Sequence, residues 1–318
     1  MISRLLALTI TAAVALGVAG AASAAPGDRD TSFDPPPLNG AVQSVAELSD
    51  GKYLIGGDFT NPGYSTVARL NSNGTPDPFP TAPDLSGRAS SIAALSDGKY
   101  LIGGFPTRDP KLVRLNSDGS PDMPPNFTPP ALDRSVESVA ELSDGKYLIG
   151  GSFTNAGGDA NTDYVARLNS NGTLDPFPTP TALNRGVYSV AELSDGKYLI
   201  GGDFTNAGGD ANTDYVARLN SDGSRDPSFT PPALNDGVES VAALSDGKYL
   251  IGGWFTNAGG DANTDYVARL KSDGTRDESF RPPALNSAGY IAVYTVAELT
   301  DGKYLIGGAF TNADGDPD

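Results

Sequence analysis

The sequence predicts an all-β fold, a single β-propeller of about six four-stranded blades. Three observations carry that expectation. An octapeptide, DGKYLIGG, begins at Asp50, Asp97, Asp144, Asp195, Asp246 and Asp301, a spacing of 47 to 55 residues. A unit of that size cannot bury its own apolar face and must stack on its neighbours. Second, most repeats carry two Asp-Gly or Asn-Gly turns between short apolar runs, the strongest local signal for antiparallel hairpins. Third, the 39 glycines and 25 prolines fall at regular places, as turns between short strands require. A linear solenoid is the alternative, but solenoid coils are usually shorter and mostly parallel, and two hairpins per repeat argue against them.

The elements follow in chain order. Met1–Arg4 is basic, Leu5–Gly20 is apolar, and Ala22-Ser23-Ala24 fits the small-x-small rule for signal cleavage. Residues 1–24 are therefore expected to be a secretory signal peptide, too short for the roughly 20 apolar residues of a spanning helix. Residues 25–318 are expected to form the propeller.

The copy starting at Val187 shows the repeat clearly. Val187–Leu193 alternates apolar and polar residues as a half-buried strand. Ser194-Asp195-Gly196 is a turn, and the Asp-Gly-Lys of each copy is expected to be a hairpin followed by a solvated lysine. Lys197–Gly202 returns, its paired glycines suited to close backbone approach. A polar loop over 205–213 leads to a third strand, Tyr215–Leu219. A second turn, Asn220–Gly223, leads to a short fourth strand, Arg225–Phe229, where Pro227 suits an edge. The last copy stops before its third strand. Gly27–Phe33 matches Gly223–Phe229, a fourth strand without its first three. The last blade is thus expected to be incomplete, or closed by that N-terminal strand.

The joined motif, SVAELSDGKYLIGGDFT at 189–205 and YVARLNSDGSRDPSF at 215–229, resembles the delta-60 repeat, a bacterial β-propeller repeat. The resemblance spans nearly all of residues 29–318. The first two copies depart from it: 61–65 and 105–110 shorten the middle loop, and 76–86 alters the fourth strand. The resemblance implies a propeller and no general activity.

Composition narrows the function. With no cysteine the chain gains nothing from an oxidising compartment. With no histidine either, it lacks the commonest general base and the soft metal ligands. The net charge of −17 is spread through the repeats and argues against nucleic acid or an anionic membrane as partner. No segment beyond the signal suggests membrane insertion. The middle loops carry Asp159/Asn161/Asp163, Asp210/Asn212/Asp214 and Asp261/Asn263/Asp265, with a partial echo at Asp314/Asp316/Asp318. Calcium loops begin with such alternating oxygens, but Tyr164 stands where glycine is wanted and no bidentate glutamate follows. An Asx turn is the competing reading. No other cofactor is expected. The sequons at Asn73, Asn126 and Asn171 are accounted for by chance and turn chemistry.

An active site needs an asymmetric constellation, and nearly every Asp, Lys and Tyr here is repeated. The informative positions are those where the copies differ. After the second strand they read Asp58, Ser152, Asp203, Trp254 and Ala309. Near the start of the first strand they read Gln43, Ser90, Glu137, Tyr188, Glu239 and Tyr294. In a propeller both sets gather at one mouth of the central channel, and drift at exposed positions is the alternative. The expected ligand-binding residues are Gln43, Glu137, Tyr188, Asp203, Glu239, Trp254 and Tyr294, with aromatic faces for stacking and carboxylates accepting from hydroxyls. The leading expectation is a secreted, non-enzymatic propeller binding a surface glycan or protein. A purely structural cell-surface module comes second and a carboxylate-dependent hydrolase third. The sequence leaves ligand identity and oligomeric state open.

Overall fold

A computed structural model describes residues 32–59, 66–79, 85, 87–106, 109–261, 263–286, 291–299, 302–310 and 312–313. The predicted signal peptide, most of the orphan strand Gly27–Phe33, and the acidic echo at 314–318 lie outside them. No described helix is long and apolar enough to cross a membrane. The chain divides into two compact units, Met1–Met123 and Pro124–Asp318.

The first unit holds two antiparallel sheets in simple meander order. One comprises β1 (Val42–Glu47), β2 (Tyr53–Gly57) and β3 (Val67–Leu70); the other β4 (Gly87–Ala94), β5 (Tyr100–Pro106) and β6 (Leu112–Leu115). The second unit repeats the plan three times. Its sheets are β7 (Val136–Glu141), β8 (Tyr147–Gly151) and β9 (Val165–Leu168); β10 (Val187–Glu192), β11 (Tyr198–Gly202) and β12 (Val216–Leu219); and β13 (Val238–Ala243), β14 (Tyr249–Gly253) and β15 (Val267–Leu270). A short β16 (Leu285–Asn286) pairs with β19 (Asn312–Ala313), and β17 (Ala292–Glu298) pairs with β18 (Tyr304–Ala309) as a two-stranded sheet. Among the described residues, the last copy contributes the two-stranded β17–β18 sheet.

Each octapeptide forms the first hairpin and second strand. In the β10–β11 hairpin, the Gly196 amide donates to Leu193 O, the Leu193 amide to Lys197 O, and Gly196 takes φ +77°. Both glycines at the end of the second strand have a geometric cause. A Cβ on Gly202 would lie 2.0 Å from the carbonyl oxygen of Gly186. A Cβ on Gly201 would lie 2.7 Å and 2.8 Å from the Cγ1 atoms of Val238 and Val241 in the next sheet. The first glycine therefore cradles the neighbouring sheet, and the second admits its own hairpin partner.

The sheets of each unit stack through one repeated core. Leu193, Leu199 and Val216 of one sheet pack with Val238, Val241, Tyr249, Ile251, Ala268 and Leu270 of the next. The same parts recur one sheet earlier and one later, and between the two sheets of the first unit. Burying each Leu or Val contributes roughly 1.5–3 kcal/mol, which fixes the stacking order. A buried hydroxyl adds direction: the Val241 amide donates to Ser189 Oγ, the Val190 amide to Ser138 Oγ, and the Val296 amide to Ser240 Oγ.

The expected fourth strand is reduced to a single bridge in each three-stranded sheet, such as Leu219 with Arg225. In the copy at 216–229, Asp226 Oδ1 accepts the Ser228 amide at 2.9 Å and the Ser228 hydroxyl at 2.7 Å, which turns the chain out of the ladder just where Pro227 offers no N–H; Asp277 makes the same turn with Ser279. The repeated lysine is not simply solvated either. Lys197 Nζ and Arg218 Nε both lie 2.8 Å from Asp226 Oδ2. Four further copies of this clasp centre on Asp77, Asp122, Asp175 and Asp277. Phe33, at the end of the orphan segment, packs edge-on against Tyr53 with ring centroids 5.7 Å apart, as Phe229 does against Tyr249. The second copy departs as its short loop suggests: β5 runs on, pairing Phe105 with Arg88.

Candidate functional site

The first variable set occupies one kind of backbone position. In every first hairpin the register shifts by one residue, and the extra residue is Gln43, Ser90, Glu137, Tyr188, Glu239 or Tyr294. A β-bulge re-aims its side chain and is released from the pairing rule, so its identity is free to vary. The second set follows the second glycine. There the backbone amide is pinned across the hairpin: Ser152 to Ser135 O, Asp203 to Gly186 O, Trp254 to Gly237 O. The two variable residues of a sheet are thus held side by side by its backbone.

In the second unit these pairs converge across neighbouring sheets. Gly186 lacks the Cβ that would sit 3.1 Å from Tyr188 Cε1, 3.4 Å from Ser152 Oγ and 3.5 Å from Asp203 Oδ1. Burial first, then the carboxylates of Asp203, Glu239 and Glu137, push the Tyr188 phenol well above its usual range. Trp254 is half-buried. Its indole N–H donates to Glu239 Oε1 at 2.7 Å, and its ring meets Tyr294 edge-on, with centroids 5.9 Å apart. Burial and then Glu239 also raise the Tyr294 phenol. Glu137 Oε1 accepts the Ser135 hydroxyl at 2.7 Å. Arg185 Nη1 stands 3.7 Å from Asp203 Oδ2, and Asp203 Oδ1 is shielded from solvent with no hydrogen-bond partner among the described residues.

Six of the seven sequence-predicted residues, Glu137, Tyr188, Asp203, Glu239, Trp254 and Tyr294, are therefore linked through successive sheets of one unit. Gln43 lies on β1 of the first unit, half-buried, beside an Asp58 whose Oδ1 accepts the Ala41 amide at 2.6 Å. Trp254 enters the site with its indole N–H held by Glu239 Oε1 and its ring set at 62° to that of Tyr294. Sequence reasoning marks Ser152 as a variable position but leaves it out of the expected site, and it misses Gly186, whose part shows only when the sheets are stacked.

The middle loops are Asx turns. Each opens with one 3-10 turn, as at Ala156–Gly158. Asp159 Oδ1 accepts the Asn161 amide at 2.9 Å, and Asp163 Oδ1 accepts the Asn155 amide at 2.8 Å. In the later copies Arg225 takes Asp210 at 3.0 Å and Arg276 takes Asp261 at 2.7 Å. These carboxylates cap backbone and bind arginine rather than converging. Among the described residues, no group of three or more acids is placed to hold a metal.

Stacked antiparallel sheets, each with a bulge at the same place in its first hairpin, are the architecture of a propeller-repeat protein. The chain belongs to the family described as a domain of unknown function (DUF5122) beta-propeller, whose model matches residues 48–79, 95–123, 142–177, 193–229 and 244–280. That family is a β-propeller repeat family, as the resemblance read in the sequence implies. Curated proteins give no match. Among solved structures, the WD40 β-propeller domain of Doa1 superposes with a TM-score of 0.54 at 15% identity, over 84% of this chain and 86% of that one. The structure described as the extracellular domain of the hybrid two-component system BT3049 from B. thetaiotaomicron gives 0.56 at 12% identity, over 90% of this chain and 34% of that one. A Bacteroides caccae protein of unknown function gives 0.44 at 16% identity, over 76% and 83%. At such identities these likenesses concern the fold alone.

Proposed function

We propose that the chain is an exported, non-enzymatic binding protein that presents the Tyr188-centred patch to a surface glycan or protein. The observation that carries this is the convergence of Glu137, Tyr188, Asp203, Glu239, Trp254 and Tyr294 on a backbone that elsewhere repeats almost without change. The bulge and the residue after the second glycine are where side chains can differ without cost to the stacking. Rigid sheets hold them, as binding sites on a scaffold require. Aromatic edges beside carboxylates suit a polyhydroxylated ring, whose C–H face meets the aromatic and whose hydroxyls donate to the acids. The absence of histidine and cysteine removes the commonest general base and the thiol nucleophile, in keeping with binding rather than turnover.

The test is a glycan array probed with the labelled chain, with pooled polysaccharides incubated in parallel. Selective retention of one glycan class, without release of reducing ends, supports the reading. Release of reducing ends would replace it with a hydrolase. Retention of no glycan, together with no captured protein from the cell surface, would leave the chain a structural module.

A further inference from the structure

Acid and aromatic residues alternate through the Tyr188 patch. Along successive sheets the bulge residues read Glu137, Tyr188, Glu239 and Tyr294, an acid then a ring, twice over. The residue after the second glycine reverses the choice in the two middle sheets. Asp203 accompanies Tyr188, and Trp254 accompanies Glu239. Each of these sheets thus presents one carboxylate and one ring. The bulges of the first unit carry the neutral Gln43 and Ser90 instead.

The charges and the rings act on a common space. Burial, then Asp203, Glu239 and Glu137, raise the Tyr188 phenol, so three carboxylates lie within electrostatic reach of one hydroxyl. The Trp254 and Tyr294 rings, set at 62° with centroids 5.9 Å apart, make two walls of a corner beside Glu239. All six side chains are half-buried, so each keeps some surface in solvent. Arg185 reaches Asp203 only at 3.7 Å and is 68% exposed, and so exposed a pair contributes little. The faces of the rings carry negative charge density that adds to that of the acids. A neutral sugar would find acceptors here, but a cation gains from the carboxylates and the ring faces together. Among the described residues no group of three acids is placed to hold a metal ion, so the charge suits a larger organic cation.

We infer that the Tyr188 patch takes a protonated amine, carried by a glycan of hexosamines whose amino groups are unacylated. The inference rests on the binding role proposed above and narrows it. The ammonium would lie by Tyr188 among Glu137, Asp203 and Glu239, and the C–H face of a neighbouring sugar would meet Trp254. The rings stand on neighbouring sheets, so consecutive sugars can each cover one. A sugar ring is also rigid, whereas a lysine stem bound in its place would lose rotamer freedom.

Calorimetric titration of the full chain with a glucosamine tetrasaccharide and with its N-acetylated counterpart tests this, in mildly acid buffer where amines are protonated and carboxylates ionised. The two share a backbone and differ in charge. The amine form should bind, and the acetylated form should bind about tenfold or more weaker. Glu137→Gln and Glu239→Gln keep an acceptor for the Ser135 hydroxyl and for the indole, so melting should be unchanged. Each should weaken the amine form by about tenfold, and the double variant by more. Asp144→Asn with Asp246→Asn removes the same charge from the hairpin turns, at the opposite end of the sheets from the bulges. It controls for general attraction to a chain of net charge −17 and should bind as wild type. Equal affinity for the two tetrasaccharides overturns the inference and leaves the glycan reading standing. So does a loss in the turn control equal to that in the double glutamine variant. Binding of neither tetrasaccharide also overturns it, and the binding role falls with it only if the array retains no glycan. A lysine tripeptide bound more tightly than the amine tetrasaccharide would overturn it in favour of a protein ligand.

Discussion

Replacing Asp226 by alanine should cost far more than replacing a turn aspartate outside the clasps, because Asp226 is the counter-ion of a buried arginine. Its side chain is 5% exposed and that of Arg218 is 7% exposed. Removing the carboxylate leaves the guanidinium buried without its partner, which costs about 3–5 kcal/mol. Arg218 keeps a bond to the Tyr249 hydroxyl at 3.1 Å and a place over the Phe229 ring at 5.0 Å, so the lower end, about 3 kcal/mol, is expected. Lys197, on the outer side of the clasp, can turn to water, and Lys197→Ala should cost about 1 kcal/mol or less. Asp222 is the internal control. It caps the neighbouring turn through the Ser224 amide and hydroxyl but pairs with no cation among the described residues, so Asp222→Ala should cost about 1 kcal/mol. Urea titration followed by Trp254 fluorescence reads all three, because Arg218 also bonds Ser272 O in the sheet that carries the tryptophan. Acid adds a second readout. Burial alone would raise the Asp226 carboxyl, but hydrogen bonds from Lys197 and Ser228 and the charge of Arg218 outweigh it and hold the group well below the usual carboxylate range. A folded value below the unfolded one means its stabilisation is complete above the ordinary value of 3.8 and drains away as the pH falls below it. Asp226→Ala should flatten that acid limb. A loss no larger than that of Asp222→Ala would refute the clasp as an organising contact.

Three further outcomes follow from the same geometry. Among glycines, Gly202→Ala should prevent folding of its sheet, Gly201→Ala should cost about 1–3 kcal/mol by crowding two valines, and Gly247→Ala, at φ +80° in open space, about 1 kcal/mol; urea midpoints in any other order would contradict the two roles given to the paired glycines. Tyr188 should ionise later than the other tyrosines, so the stability its neutral form confers is intact below the ordinary phenol value of 10.0 and is lost as the pH rises above it; ultraviolet difference titration of wild type against Tyr188→Phe should show the missing chromophore at the alkaline end, and a loss in the ordinary range would contradict its burial among carboxylates. Trp254→Ala removes one hydrogen bond and one edge contact from a half-buried ring, and should cost about 1–2 kcal/mol rather than the 3–5 of a core tryptophan, as read by thermal melting.

Local order governed what could be read from the sequence. The Asp-Gly turns, the second strand and the need for paired glycines are legible because each rests on residues within a hairpin. The fourth strand is misread because Pro227 and Asp226 look like an edge strand in sequence, while the Asp226 side chain takes the bonds a strand would make. The clasp is invisible because Lys197 and Asp226 meet only after the sheet folds back, and a repeated lysine beside a turn looks solvated. The site is half legible. Comparing near-identical copies isolates Tyr188, Asp203, Glu239 and Trp254 as positions free to differ, and the bulge explains why. That the indole ties up Glu239, and that Gly186 opens the space between Tyr188 and Ser152, depends on stacking that no single repeat encodes.

The proposed recognition surface is the group of variable residues around Tyr188 in the second unit. The most direct measurement is calorimetric titration of the glycan selected on the array into wild type, Tyr188→Ala and Trp254→Ala, each checked for an unchanged fold, with Asp246→Ala in a distant hairpin turn as control. The account predicts that both patch variants weaken binding by about tenfold or more, the loss of a central aromatic contact, while the control binds as wild type. Equal affinity across all four proteins would contradict it.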